Sequence, residues 1–131
     1  MKKIFFICSL LVFTACGGKD SPSEVVGYKT TMKVASTYDA GKIVRGEMIH
    51  AKLEVENTGE YPLVLSDVSG SCSCTVADWS KDPISPGGKG FVKADINTES
   101  FSSGAVARSV TILSNTTPPN TKVVIQATIV K

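Results

Sequence analysis

The chain has 131 residues, 42% of them hydrophobic and 20% charged, with 14 basic and 12 acidic side chains. That length allows one domain after any processed segment is removed. Lys2 and Lys3 supply the whole formal charge of +2; without them 12 basic side chains face 12 acidic ones, which leaves no footprint for nucleic acid and no polybasic membrane patch.

The first element is a leader. Lys2 and Lys3 precede the apolar run "IFFICSLLVFTA", residues 4–15. It is much shorter than the roughly 20 residues of a membrane-spanning helix, so residues 1–15 read as a signal peptide. Thr14 and Ala15 stand just before Cys16, and Gly17 and Gly18 follow it. This junction resembles a bacterial lipobox, with Phe13 where an aliphatic residue is usual. The expectation is that Cys16 becomes a lipidated N-terminus, each buried methylene of its chains contributing about 0.8 kcal/mol of membrane attachment. Residues 16–27, small and polar, read as the tether.

The domain is expected over residues 28–131, built from short β-rich runs between turns. "YKTTMKVA" (28–35) opens it. "EMIHAKLEVEN" (47–57) alternates, with Ile49, Ala51, Leu53 and Val55 on one face and Met48, His50, Lys52 and Glu54 on the other. "NTGEYP" (57–62) reads as a turn whose Asn57 and Gly59 can take positive φ. "LVLSDVS" (63–69) and "CSCTVAD" (72–78) are two short strands around Gly70. "PISPGGKG" (83–90) reverses sharply at Pro86 and Gly87. "FVKADIN" (91–97), "AVARSVTILSN" (105–115) and "TKVVIQATIVK" (121–131) complete about seven strands. That pattern predicts an all-β, immunoglobulin-like sandwich, with enough chain to bury a core without several disulfides.

Four cysteines occur in all. Cys8 leaves with the leader and Cys16 carries lipid, so Cys72 and Cys74 remain, in an exported and oxidising setting. One residue apart, they cannot bridge two sheets. In an ideal strand their Cα atoms lie about 6.6 Å apart, the stretched limit for a disulfide. A local bend would close a small ring of little stabilising power, easily reduced and suited to redox work. Soft thiolates also bind Cu(I) or Zn(II), and Met32, Met48 or His50 could add ligands, but the spacing demands no metal. The third reading, two small apolar residues sharing a strand face, or a local crosslink, is the one favoured.

Other candidates carry less chemistry. By alternation His50 is a solvated surface histidine. Asp78 and Asp82 flank Trp79 and Lys81; the tryptophan reads either as a carbohydrate or protein contact or, the commoner outcome, as a partly buried ring covering a sandwich edge. "NTT" (115–117) is a glycosylation acceptor in form only. No Ser-His-Asp set, phosphate-cradling loop or calcium loop can be assembled, so no enzyme and no cofactor are expected.

Taken in order, "LEVENTGEYPLVLSDVSGSCSCTV", "PISPGGKGFVKADINTESFSSG" and "VTILSN" resemble the bacterial domain of unknown function 1573 family. The matching positions are Asn57, Gly59, Pro62, Leu63, Cys72, Cys74, Thr75, Pro86, Gly87, Gly104 and Asn115. Ser73 departs from the family's middle glycine. The resemblance covers about residues 48–130 and implies an immunoglobulin-like domain similar to those of cilium and sperm proteins, found on exported proteins and lipoproteins of Bacteroidetes-like bacteria, with no established activity. The expected protein is therefore a non-enzymatic binding or scaffolding module. It is lipid-anchored, at the outer membrane of a Gram-negative bacterium, facing the periplasm or the surface, with an envelope protein or glycan as partner. The alternative is a small periplasmic thiol-redox or copper/zinc-handling module using Cys72 and Cys74.

Overall fold

The structure, a computed structural model, describes residues 27–71 and 75–131. The signal peptide, the tether up to residue 26, Cys8, Cys16, Cys72 and Cys74 lie outside the described residues. Among those described there is no helix. Eight strands run in the order β1 (Met32–Lys33), β2 (Thr37–Val44), β3 (Met48–Asn57), β4 (Leu65–Gly70), β5 (Thr75–Trp79), β6 (Lys89–Asn97), β7 (Gly104–Ser114) and β8 (Asn120–Val130). They form two four-stranded sheets, β1-β3-β6-β5 and β2-β8-β7-β4. Neighbours are antiparallel except β2 and β8, which run parallel.

The core lies between the sheets because the strands alternate. On β3, Ile49, Ala51, Leu53 and Val55 are buried while Met48, His50, Lys52 and Glu54 are exposed. Val92, Ala94 and Ile96 of β6 meet them in register, and Val110, Ile112, Val123, Ile125 and Ile129 face back from the second sheet. Each large aliphatic side chain so buried is worth about 1.5–3 kcal/mol. On β4 the inward residues Leu65 and Val68 are three apart rather than two. A bulge explains it: Leu65 pairs with Ser114 and Asp67 with Leu113, so β4 spends one extra residue, Ser66.

Two strands differ from the sequence expectation. The opening run 28–35 yields only the two-residue β1, preceded by a parallel bridge between Thr30 and Thr116. Residues 37–44, not anticipated as a strand, form β2 along β8. The register shifts between Asp39 and Lys42, where Gly41 takes φ 73° and its N–H donates to Asp39 Oδ1 at 2.8 Å. That bulge breaks the alternation: Tyr38, Ala40 and Ile43 pack on the core at spacings of two and then three.

One pole of the sandwich is tied by asparagines. Asn57 is fully buried. Its Nδ2 donates to the carbonyls of Tyr61 (2.7 Å) and Ile84 (2.9 Å), and its Oδ1 accepts from Thr30 Oγ1 (2.9 Å) and Gly59 N (3.0 Å). Asn115 repeats the device, donating to Tyr28 O and Pro62 O and accepting from Val64 N at 2.8 Å. Among the described residues no non-glycine residue has positive φ, and Gly59 does not either. The expected positive-φ turn at Asn57 and Gly59 is therefore corrected. Asn57 ends a strand, and Gly59 is required because a Cβ there would collide with Thr30 Oγ1 and come within 2.6 Å of Thr31 N.

At the opposite pole Thr98, also fully buried, donates its hydroxyl to Glu47 O at 2.6 Å and accepts from Gly46 N at 3.0 Å. Ser71 N bonds Ser109 O in the second sheet, and β5 begins at Thr75 opposite Ile96 in the first.

Candidate functional site

β5 ends at Trp79, the sole tryptophan of the chain. Its partner is Val92, a core residue, so strand parity turns the ring towards the seam between the sheets. There its Nε1–H donates to Leu65 O at 3.2 Å, and the ring packs against the core while staying partly exposed. The Lys81 ammonium lies 2.9 Å from the ring centroid. A cation over an exposed ring is worth about 0.5–1 kcal/mol, a contact easily exchanged for another.

The chain after Trp79 folds back as a fixed loop. Ser80 N bonds Phe91 O and Ser80 Oγ accepts from Phe91 N, each at 3.0 Å. Ile84 exchanges two 2.8 Å backbone bonds with Leu63, and its carbonyl also receives the Asn57 amide. Pro86 and Gly87 then occupy the centre of a turn closed by Gly88 N to Ser85 O at 2.8 Å, with Gly87 at φ 75°. Proline followed by a glycine of positive φ is the signature of a type II turn, so the expected reversal is present.

Between this loop and β6 opens a cleft of about 620 Å³, lined by Trp79, Phe91 and Ile84 and rimmed by Asp78, Asp82, Lys81 and Lys89. Asp78 accepts from Trp79 N at 2.9 Å. Lys89 is held by Glu54 at 3.0 Å; that hydrogen bond, then the charges of Glu54 and Glu56, raise its pKa above the ordinary lysine value. The Phe91 ring lies 5.1 Å from Lys93 Nζ and 6.0 Å from Lys52 Nζ.

A second hollow, about 360 Å³, lies at the asparagine-tied pole beside Tyr61. Tyr61 stacks on Tyr28 with centroids 4.8 Å apart, and both rings are exposed.

The other sequence candidates are not brought together. His50 is exposed and bonds Asp95 at 2.8 Å across to β6. Met48 and Met32 stand at opposite ends of the β3 ladder, Met32 opposite Asn57, about 30 Å apart along the strand. They cannot complete one copper site. Among the described residues no group of three or more His, Cys, Asp or Glu could hold a metal ion. The Asn115 amide is wholly engaged in hydrogen bonds. Arg108 was missed, although its parity with Val110 and Ile112 in the sequence already pointed it inward. It lies opposite Ile125 with its guanidinium 4.4 Å from the Phe101 centroid, and its buried Nε has no hydrogen-bond partner among the described residues.

Two stacked four-stranded sheets, with the opening segment contributing a strand to each, place the chain among the immunoglobulin-like, PapD-like sandwiches. The family described as protein of unknown function (DUF1573) matches residues 31–129, and the chain belongs to it. No curated protein matches. Among solved structures, a protein of unknown function from Porphyromonas gingivalis W83 is 22% identical with a TM-score of 0.67, covering 76% of this chain and 47% of its own. The PapD-like domain 7 of human CEP192 is 10% identical with a TM-score of 0.59, and the match covers 98% of this chain and 99% of that one. The secreted serine protease VesC from Vibrio cholerae is 12% identical with a TM-score of 0.58, over 76% of this chain and 23% of its own. The chain thus spans about half of the Porphyromonas protein and a quarter of the protease. At these identities the likeness is one of fold.

Proposed function

We propose that the protein is a non-enzymatic binding module of the bacterial envelope, lipid-anchored through Cys16 at the outer membrane of a Gram-negative cell, its partner an envelope protein or glycan. The observation that carries the binding role is the Trp79 cleft: the partly exposed Trp79 ring beside Lys81 and Asp82, on a loop fixed by backbone bonds and the Asn57 amide. A rigid surface of that kind recognises a ligand without an ordering cost. The anchor rests on the Ala15-Cys16-Gly17 junction after its apolar run.

Membrane pelleting and labelled-palmitate incorporation test the anchor. The wild-type chain is expected in the membrane fraction and labelled, and Cys16→Ser soluble and unlabelled. Wild-type chain free in solution after detergent-free lysis overturns the anchored reading. For the thiol-redox alternative the test is a free-thiol count with and without reductant, combined with Cys72→Ser/Cys74→Ser. A double variant that folds and retains its cellular phenotype removes that alternative.

A further inference from the structure

We infer that the asparagine-tied pole rests on the lipid bilayer, with the stacked rings of Tyr28 and Tyr61 set among the lipid headgroups. This rests on the reading of Cys16 as the lipid-bearing N-terminus and adds how the domain stands on that membrane.

The exposed large hydrophobic side chains among the described residues are Tyr28, Val44, Met48, Tyr61 and Leu113. Tyr28, Tyr61 and Leu113 belong to the asparagine-tied pole, Val44 and Met48 to the opposite one. The two tyrosines stack with centroids 4.8 Å apart and 21° between their planes, yet stay 54% and 42% exposed. The stack lies on the surface and fills no part of the core. Both residues are held from behind. Asn115 Nδ2 donates to Tyr28 O at 3.0 Å, and Asn57 Nδ2 donates to Tyr61 O at 2.7 Å. The two amides that tie the pole thus present the rings on a fixed base, where only a second surface can bury them.

Reach selects that surface. Tyr28 stands twelve residues after Cys16, and a chain of that length extends to at most about 43 Å in any conformation. The eleven residues of β8 make the sandwich about 37 Å long. The tyrosine pole is therefore always within range of the bilayer that holds the lipid. The far pole could touch it only with the tether run almost full length along the sandwich.

A tyrosine has an apolar body and a polar tip, the combination that settles between acyl chains and water. Charge does not drive the contact. The loops of this pole, residues 27–31, 58–64, 80–88 and 115–119, carry Lys29 and Lys81 against Glu60 and Asp82. Within three residues of the strand ends, Lys33, Lys89 and Lys122 stand against Glu54, Glu56, Asp67 and Asp78. With no excess of cations, the attraction is burial of the rings, independent of lipid charge and of salt.

The experiment places the mature lipidated chain in nanodiscs of phosphatidylethanolamine and phosphatidylglycerol, with a gadolinium chelate on some headgroups, and reads the line broadening of each backbone amide. Strong broadening is expected at residues 59–61 and 115–117, and little at Gly46 and Glu99 of the opposite pole. The pattern should persist in 1 M salt and in nanodiscs of phosphatidylcholine alone. Tyr28→Ser/Tyr61→Ser should lower the docked-to-undocked ratio about tenfold and flatten the pattern. Tyr28→Phe/Tyr61→Phe, which keeps both rings, should preserve it. Broadening that is even over the two poles, strongest at the far pole, abolished by salt, or untouched by Tyr28→Ser/Tyr61→Ser overturns the docking. If the chain then still elutes with the nanodisc in size exclusion, the anchor stands and only the orientation falls. A chain that elutes without the nanodisc overturns both.

Discussion

At one pole of the sandwich two asparagine side chains make seven hydrogen bonds between them, reaching Tyr28 and Thr30 ahead of β1, the 58–64 loop and the loop that carries the cleft. At the other pole a threonine hydroxyl closes the turn between β2 and β3, and Arg108 lies over Phe101 with a buried nitrogen unpaired among the described residues. Both poles must satisfy backbone groups that the ladders leave over. The difference lies in reach. The asparagine amides, with two donors and an acceptor oxygen each, fix several loops at once, whereas both bonds of the Thr98 hydroxyl go to one turn. The Trp79 cleft lies at the pole with the wider reach.

Substitutions measure that contrast. Asn57→Ala takes a hydrogen-bond partner from Thr30 Oγ1, Gly59 N and Tyr61 O, while Ile84 O keeps its bond from Leu63 N, and at about 1–3 kcal/mol per unsatisfied group it should cost at least about 3 kcal/mol in urea denaturation. Thr98→Val, nearly isosteric, should cost about 1–3 kcal/mol by the same measurement. Equal losses at the two positions would break the comparison. Gly59→Ala should cost about 1–3 kcal/mol through overpacking against Thr30 and Thr31, with Thr30→Ser unable to relieve it because the Thr31 amide remains. His50→Ala removes an exposed pair with Asp95 and should shift the midpoint by less than about 0.5 kcal/mol. Smallest of all is Lys89. Its folded pKa is raised, so its contribution is present below the unfolded value of 10.5 and is lost as pH rises through the folded one. On an exposed side chain, Lys89→Met should leave the denaturation midpoint at 1 M salt where it was.

The alternation of β3 was legible residue by residue, because both faces of that strand see uniform surroundings, core on one side and water on the other. β2 was not legible, since its bulge at Asp39–Gly41 looks like a turn and its inward residues fall out of period. Asn57 and Gly59 were recognised as a motif but given the wrong physics: their service is burial and close approach, which depend on Thr30 and Ile84 arriving from elsewhere in the chain. Trp79 at a sandwich edge was foreseen. The cleft beside it was not, because the loop that walls it is held by Leu63 and the Asn57 amide, partners about twenty residues or more away that no local pattern encodes.

The parallel pairing of β2 with β8 has a mechanical consequence. The described chain begins at the asparagine-tied pole, where Asn115 holds Tyr28, and its last residues leave β8 at the opposite pole beside Arg45. A pull on those two ends drags β2 and β8 past one another along their length, so the ladder bonds between them resist in shear and must fail together instead of peeling one by one. Under tension the sandwich should therefore behave as a stiff link that lets go abruptly.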